Sequence, residues 1–442
     1  MEVKKILEQA KKDNVKFVTL QFTDLLGVIK EVVIPSERLE NALRQGVWFD
    51  GSSVEGFARI QESDLFLKPD VTTYAVMPWL TEDGVTARLI CDIYSPDGKA
   101  FEGDPRFVLK KAAAEADKEG YRYNVGPEPE FYLFKTNCEK RTSPMDYGGY
   151  FDLSSNEGYK VIKQIVMALE NFGINVEMSH HEVGFGQYEI DFHYGDCLDI
   201  ADKMVTLKYV AKKIARMHNL HATFMPKPIM GAAGSGMHVH QSLFDVKAKE
   251  NAFYDADHKY NLSKVAFSFI AGQIKHIDAM CAVLCPTVNS YKRLVAGFEA
   301  PVYVTWAAMN RSALLRVPKW FKAKKDGARI ELRCPDPACN PYLAFAVMLK
   351  AGLDGVKNNL KPPEPVEENI YQLDEESLAT KKINILPTSL RNALDALQKD
   401  KLLQDVLGEH LFERYIDVKS REWDQFRVQV TPWEIETYLD IF

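Results

Sequence analysis

Several features are missing from this sequence, and each absence excludes a class of protein. Its seven cysteines, at 91, 138, 197, 281, 285, 334 and 339, contain no CxxC pair and are odd in number. That argues against a disulfide framework or a zinc knuckle and for reduced thiols, with Cys281 and Cys285 at the spacing of a buried helix face. Net positive charge is also missing. The 62 acidic residues outnumber the 55 basic ones, leaving −7, so a nucleic-acid partner is not expected. No apolar run is long enough for a membrane span, because the longest, residues 265–286, is broken by Lys275, His276 and Asp278. The start, Met1-Glu-Val-Lys-Lys-Ile-Leu-Glu, reads as a helix rather than a signal peptide, and a cytoplasmic location is expected. There is no internal repeat, no Walker A loop and no G-x-G-x-x-G.

What is present is a chain of 442 residues, 46% hydrophobic and 26% charged, the balance of a globular protein with two or three domains. Near the start, residues 17–22 and 29–34 read as strands around a Leu-Gly turn, and residues 87–94 as a further strand, together a small α+β domain. Asp104-Pro105 then reads as the cap and first turn of a helix. The boundary is placed near residue 100, giving domains 1–100 and 101–442. Lys361-Pro-Pro-Glu-Pro is a stiff surface connection.

Four short segments of the larger part place polar groups at period two. In Gly126-Pro-Glu-Pro-Glu-Phe, Glu128 and Glu130 project from one face of an extended chain. An isolated E-x-E also suits a solvated face, although the flanking prolines and the apolar run beyond weaken that reading. In Ser179-His-His-Glu-Val-Gly-Phe-Gly-Gln-Tyr-Glu, Gly184 and Gly186 are placed to fold the chain so that Glu182 and Glu189 meet. A hairpin with charged ends explains this segment alone equally well. Gly231-Ala-Ala-Gly-Ser-Gly-Met-His-Val-His is a glycine-rich loop entering a strand that carries His238 and His240 on one face. Lastly, Arg329, Glu331 and Arg333 alternate with Ile330 and Leu332, with Arg293, Arg311, Arg316 and the lysines of 319–325 upstream. Five glutamates and a histidine are a hard donor set suited to Mg²⁺ or Mn²⁺, and arginine forks suit phosphate and carboxylate oxygens. Spacing and composition together therefore imply a metal-dependent phosphoryl-transfer enzyme.

At these residues the sequence resembles the glutamine synthetases, in their type I bacterial and archaeal form. The likeness runs from Phe49-Asp-Gly-Ser-Ser through Pro127-Glu-Pro-Glu-Phe, His180-His-Glu-Val, Gly234-Ser-Gly-Met-His-Val-His, Asn289-Ser-Tyr-Lys-Arg and Arg329-Ile-Glu-Leu-Arg to Asn340-Pro-Tyr. The resemblance implies an α+β architecture: an N-terminal β-grasp domain and a larger catalytic α/β domain with a curved antiparallel sheet of the kind shared with guanido kinases. It also implies a homo-oligomer, two stacked hexameric rings forming a dodecamer, with active sites between subunits.

The implied activity is ATP-dependent ligation of ammonia to L-glutamate through γ-glutamyl phosphate. One metal would sit on Glu130, Glu182 and Glu189 and another on Glu128, His238 and Glu331. Arg293 would clamp the substrate α-carboxylate, with Ala233 and Gly234 at the amino end, while Arg311, Arg316, Arg329 and Arg333 would neutralise phosphate charge, Arg311 and Arg333 on the glutamate side. Glu177, His240, Gln241 and Ser242 match nucleotide contacts. Asp50 resembles the ammonium site, reaching in from a neighbouring subunit, and Glu299 resembles the mobile flap. Arg59 resembles an arginine that senses product glutamine. Tyr371 lacks the proline-pair context of an adenylylated tyrosine, so control is expected from small molecules, with a nitrogen-signalling protein as a further candidate partner. Alternatives are a ligase joining glutamate to a polyamine and a ring-forming relative without catalysis. Such a non-catalytic relative should have lost ligands, whereas all six positions are filled. Ala233 and Ala296 depart from the usual Asn and Pro, and residues 318–328 form a longer loop.

Overall fold

The computed structural model describes residues 3–57, 64–79, 84–136, 142–153, 156–297, 300–320, 325–368, 370, 378, 380–381 and 383–442. Arg59, Glu299 and Tyr371 lie outside the described residues.

The first helix, Val3–Lys12, presents Ile6 and Ala10 to a sheet and closes on the basic pair Lys11 and Lys12, which suits its C-terminal dipole. The next two strands, Val15–Thr23 and Ile29–Pro35, pair antiparallel around Gly27, whose φ of 76° is the left-handed conformation that a tight turn needs. Val85–Tyr94 lies parallel to Val15–Thr23, Asp64–Pro69 and Val47–Asp50 extend the sheet beyond it, and Ala75–Val76 pairs alongside, completing six strands. Val18, Leu20, Leu67, Leu89 and Ile93 fill the small core beneath it. This is the β-grasp part.

The larger part is organised by one curled ten-stranded sheet. Its backbone is the 15-residue strand Tyr121–Lys135, flanked by Met237–Asp245 on one side and Gln187–Phe192 on the other, with Ile330–Leu332 and Val176–His181 outside them. Two prolines, Pro127 and Pro129, sit in the middle of the long strand. Both pair with Met237–Asp245 on one edge, whereas on the other edge the recorded ladder stops at Val125 and resumes at Glu130. The missing N–H groups therefore fall where the sheet opens toward a cavity, which is where a strand accepts proline.

Helices pack behind the sheet. Pro105–Lys118 begins with the Asp104 side chain accepting from Arg106 N, and Pro341–Lys357 begins with Asn340 accepting from Tyr342 N. Contrary to the sequence reading, Lys264–Leu284 is by length and composition apolar enough for a membrane span despite Lys275 and Asp278, but most of it is buried in the core against Pro341–Lys357. Those two helices touch backbone to backbone: a Cβ on Gly272 would lie 2.2 Å from Ala351 O, and one on Gly355 1.9 Å from Ser268 O. Only glycine allows so close a crossing.

Arg106 joins the two parts. Its guanidinium donates to both Asp202 oxygens at 3.0 and 2.8 Å and reaches Asp92 at 2.5 Å and Asp70 at 2.8 Å. Asn340 adds bonds to the carbonyls of Asp24 and Leu25, each at 3.2 Å. The ten-stranded sheet is thereby held at a defined orientation to the small domain.

Candidate active site

The sheet register gathers the acidic residues. Glu128 lies opposite His238 and Glu130 opposite Glu189, while Glu331 faces both His240 and Arg316. Because alternate residues on a strand share a face, these pairings put Glu128, Glu130, His238, His240 and Glu331 on one concave surface. On the far side, Gln187 N bonds Gly184 O at 2.9 Å and Glu182 N bonds Gln187 O at 2.8 Å, a turn that uses Gly186 at φ 72° and returns Glu182 to Glu189.

Two sets of three ligand atoms result, each set within 4.8 Å: Glu128, His238 and Glu331; and His180, Glu182 and Glu189. His180 Nε2 lies 3.1 Å from Glu189, and this histidine carried no role in the sequence reading although it stands beside Glu182 in His-His-Glu. Glu130 borders the same hollow, with one oxygen held by Gln187 Nε2 at 2.9 Å and by Gly236 N at 3.0 Å.

The electrostatics describe an acidic cluster that needs cations. Burial and then the charges of Glu130, Glu128, Glu182 and Glu331 push the Glu189 carboxyl well above its ordinary range. Burial also acts to raise Glu331, but Arg333, His238, His240 and Arg316 outweigh it and hold the carboxyl at about 2. Glu128 is likewise held low against burial by hydrogen bonds with His238 and His240. The oxygen-rich donor set fits a hard divalent cation.

Two cavities meet at this cluster. The larger, about 750 Å³, is lined by Glu128, Glu177, Asp191, Tyr194, His240, Ser242, Lys319, Trp320 and Arg329, among others. The smaller, about 360 Å³, is lined by Glu130, Glu182, Glu189, Ala233, Gly234, Gly236, Arg293, Arg311, Arg316, Glu331 and Arg333, among others. Glu128 and Met178 border both. In the smaller cavity, Tyr132 Oη donates to Ala233 O at 2.7 Å and Gln187 Nε2 to Gly234 O at 3.0 Å, so the glycine-rich loop is pinned through its carbonyls. Arg293 is buried, donating to Cys334 O at 2.7 Å and Arg333 O at 3.2 Å. A Cβ on Gly236 would come within 2.5 Å of Arg293 Nη2, so that glycine makes room for the guanidinium.

Gln241 borders the larger cavity, but its side chain points to the opposite face from His240 and Ser242, accepting from Tyr123 Oη at 2.7 Å and exchanging bonds with Gln273. Strand alternation assigns that side chain to the core, so a contact at the expected nucleotide position runs through the backbone. Residues to which the sequence reading gave no role include Trp320, which lines the larger cavity, and Asp191, a buried acid there with no hydrogen-bond partner on either oxygen among the described residues. Burial and the neighbouring Glu189 push Asp191 up to about 9. Its position two residues after Glu189 was the available signal, since the two share a strand face. Asp50 does not border either cavity of its own chain: it ends an edge strand, exposed, with Oδ1 accepting from Ser52 N at 2.8 Å.

Comparison with known proteins agrees with this architecture. Residues 14–96 match the family profile for the glutamine synthetase β-grasp domain and residues 102–438 that for the glutamine synthetase catalytic domain. A glutamine synthetase of Clostridium saccharobutylicum is 51% identical over 438 residues, covering 98% of each chain. One from Methanosarcina mazei is 50% identical over 439 residues, covering 99% of this chain and 97% of the other. Among solved structures, an ADP complex of GmaS superposes with a TM-score of 0.89 at 31% identity, covering 98% of this chain and 99% of the other. With two domains of that family in order, and half of its residues shared with such relatives along nearly their whole length, the chain belongs to the glutamine synthetase family.

Proposed function

We infer that the chain makes L-glutamine from L-glutamate and ammonia, with conversion of ATP to ADP and phosphate. The observation that supports this most directly is Glu128, a carboxylate shared by a nucleotide-sized cavity and a smaller cavity lined by arginines. A phosphoryl group passing from one cavity to the other crosses the acidic cluster.

A carboxylate is a poor electrophile, so the γ-carboxylate is first phosphorylated and ammonia then displaces phosphate from γ-glutamyl phosphate. Arg293 holds the α-carboxylate of glutamate, with the pinned carbonyls of Ala233 and Gly234 facing its ammonium group. Ala233 can fill that role without a side chain, since the contact runs through the backbone oxygen that Tyr132 fixes. His240, Ser242, Glu177 and Arg329 border the nucleotide, and Trp320 offers a face for the base. Arg311, Arg316 and Arg333 face the transferring group and stabilise its developing charge. Two Mg²⁺ or Mn²⁺ ions, on Glu130, Glu182 and Glu189 and on Glu128, His238 and Glu331, would neutralise the carboxylates and polarise phosphate oxygens. His180 touches the first set and orients Glu189.

Asp50 accepts the proton of ammonium from a neighbouring subunit, a role consistent with its exposed place at a sheet edge away from its own cavities. Glu299 screens the intermediate from water. The assembly is a dodecamer of stacked hexamers. In support, the C-terminal segment leaves Val428, Val430, Trp433, Leu439, Ile441 and Phe442 exposed, more apolar surface than an isolated subunit normally carries. Arg59 couples bound glutamine to the Asp50 loop. A cytoplasmic location agrees with six buried, unbridged cysteines.

The test is phosphate release from ATP with glutamate, with and without ammonium, methylamine or a polyamine. Ammonium-dependent release with glutamine as product is the expected result. Release driven by the larger amines in preference to ammonium would overturn the assignment of the nitrogen substrate.

A further inference from the structure

Behind the smaller cavity lies a cluster that the proposed reaction does not use. The sulfurs of Cys281, Cys285 and Cys334 all lie within 4.8 Å of one another, and all three residues are fully buried. Cys281 and Cys285 sit one turn apart at the end of the helix Lys264–Leu284, where Cys285 is the capping residue, and Cys334 lies two residues beyond the strand Ile330–Leu332. Two elements distant in sequence thus deliver three soft donors to one point, and each donor stands at the end of its element.

We propose that Cys281, Cys285 and Cys334 form a three-sulfur site for one soft cation of the copper(I) class, seated behind the glutamate pocket and coupled to it through Arg293. The dimensions suit such an ion. With all three sulfurs within 4.8 Å of one another, a central cation lies no more than about 2.8 Å from each, so bonds of about 2.3 Å need each sulfur to move inward by at most roughly 0.5 Å. Thiolate donors select soft cations over Mg²⁺ and Mn²⁺, so the site does not compete with the carboxylate clusters. The three donors are all sulfur, which separates the site chemically from the two carboxylate sets, and the buried Asp336 lies near enough to act on Cys285 and Cys334.

The protonation pattern agrees with that reading. Hydrogen bonding to Cys285 and Cys334, with burial, pushes the Cys281 thiol up, and burial above all pushes Cys285 up. Burial acts on Cys334 in the same sense, but hydrogen bonds from the other two thiols and the Arg293 guanidinium outweigh it and hold Cys334 low. Binding a monovalent cation forms three metal–sulfur bonds and releases the protons of the ligating thiols to solvent, with no change of oxidation state.

Coupling runs through a single carbonyl. Cys334 O accepts both from Cys285 Sγ at 3.2 Å and from Arg293 Nη1 at 2.7 Å. When Cys285 becomes a thiolate ligand, it ceases to donate to that carbonyl, and the anionic sulfurs draw the guanidinium toward themselves. The arginine then presents less positive charge to the smaller cavity. This consequence rests on Arg293 binding the glutamate carboxylate; occupancy of the sulfur site does not.

The test uses the assembled, reduced protein with saturating Mg²⁺ under anaerobic conditions. Cu⁺ is supplied from a copper(I) chelator of known affinity, and transfer is followed by the chelator's absorbance and by thiolate charge transfer in the ultraviolet. Wild type is expected to take one equivalent per subunit, and Cys285→Ala and Cys334→Ser each to lose affinity by about 100-fold or more. Cys197→Ala, a buried cysteine outside the cluster, should bind as wild type. The serine variant is nearly isosteric, so it carries the comparison where alanine leaves a cavity. Failure of wild type to take copper from the chelator, or equal uptake by the Cys334→Ser variant, overturns the site. In the loaded wild type, KM for glutamate is expected to rise several-fold with KM for ATP unchanged. Binding with no change in glutamate KM overturns the coupling through Arg293 and leaves the site standing.

Discussion

Arg333 Nη1 donates to Oε1 of Glu331 at 2.6 Å, although both residues stand on one strand face two positions apart. Arg316 Nε occupies the other Glu331 oxygen at 2.5 Å. A carboxylate that is almost wholly buried is thereby neutralised by two arginines that also line the cavity where the phosphoryl group is proposed to arrive. A cation on Glu331 would release those arginines toward the substrate, which links metal binding to charge stabilisation at the reaction centre.

Glu130→Gln tests the acidic cluster. Gln preserves shape and the bonds from Gln187 and Gly236 while removing a charge. Turnover should fall by about 100-fold or more, with unfolding midpoint in the absence of metal unchanged or raised, because like charges are relieved. Steady-state kinetics against Mg²⁺ concentration, beside thermal unfolding, gives both numbers; near-normal turnover would remove Glu130 from the metal site.

Gly236→Ala tests the pocket. The added methyl meets Arg293 Nη2 at 2.5 Å and must displace the guanidinium. The expected signature is a rise of ten-fold or so in KM for glutamate, about 1.4 kcal/mol of lost binding, with KM for ATP unchanged. An effect of equal size on both substrates would point instead to general disruption of the loop.

The Asp50 proposal predicts complementation. Asp50→Ala and Glu331→Ala homo-oligomers should each be nearly inactive, while mixed rings recover part of the activity at interfaces that carry two intact halves. Activity assays on co-refolded mixtures, with mixing verified by native mass spectrometry, decide it: mixed rings without recovery would place Asp50 in its own chain's site.

Gly355→Ala tests the helix crossing. Its Cβ would sit 1.9 Å from Ser268 O, so the helices must part. Overpacking of this kind costs about 1–3 kcal/mol, more than the gain in helix propensity, and should appear as a lower denaturation midpoint. A variant as stable as wild type would show that the crossing is looser than described.

Acid stability should depend on Asp70. Burial would raise its carboxyl, but bonds from Thr72 and Arg106 outweigh it and lower the value from 3.8 to about 2. A lowered carboxyl contributes stability that is complete above about pH 4 and lost as pH falls toward 2. Asp70→Asn should therefore destabilise the protein at pH 6 and make little difference near pH 2. Denaturant midpoints across that range measure it, and a constant difference between variant and wild type would contradict the linkage.

Local geometry made several features readable from the sequence. Helix starts at Asp104-Pro105 and Asn340-Pro341 follow from capping side chains and proline's fixed φ, which act within one turn. The shared faces of Glu128 with Glu130, and of His238 with His240, follow from the two-residue period of an extended chain, and the turn at Gly186 from glycine's access to positive φ. Side-chain parity alone also assigns Gln241 to the core. Other features depend on which strands pair and in what register, a long-range choice made by packing. Register sets Glu130 opposite Glu189, brings His180 to Glu189 and selects Glu331 as the partner of Arg316. The Cys334 sulfur joins Cys281 and Cys285 across about fifty residues because the strand after Glu331 runs past the end of a helix. Sequence spacing carries no information about that meeting, since it arises only when two elements are packed against the same core.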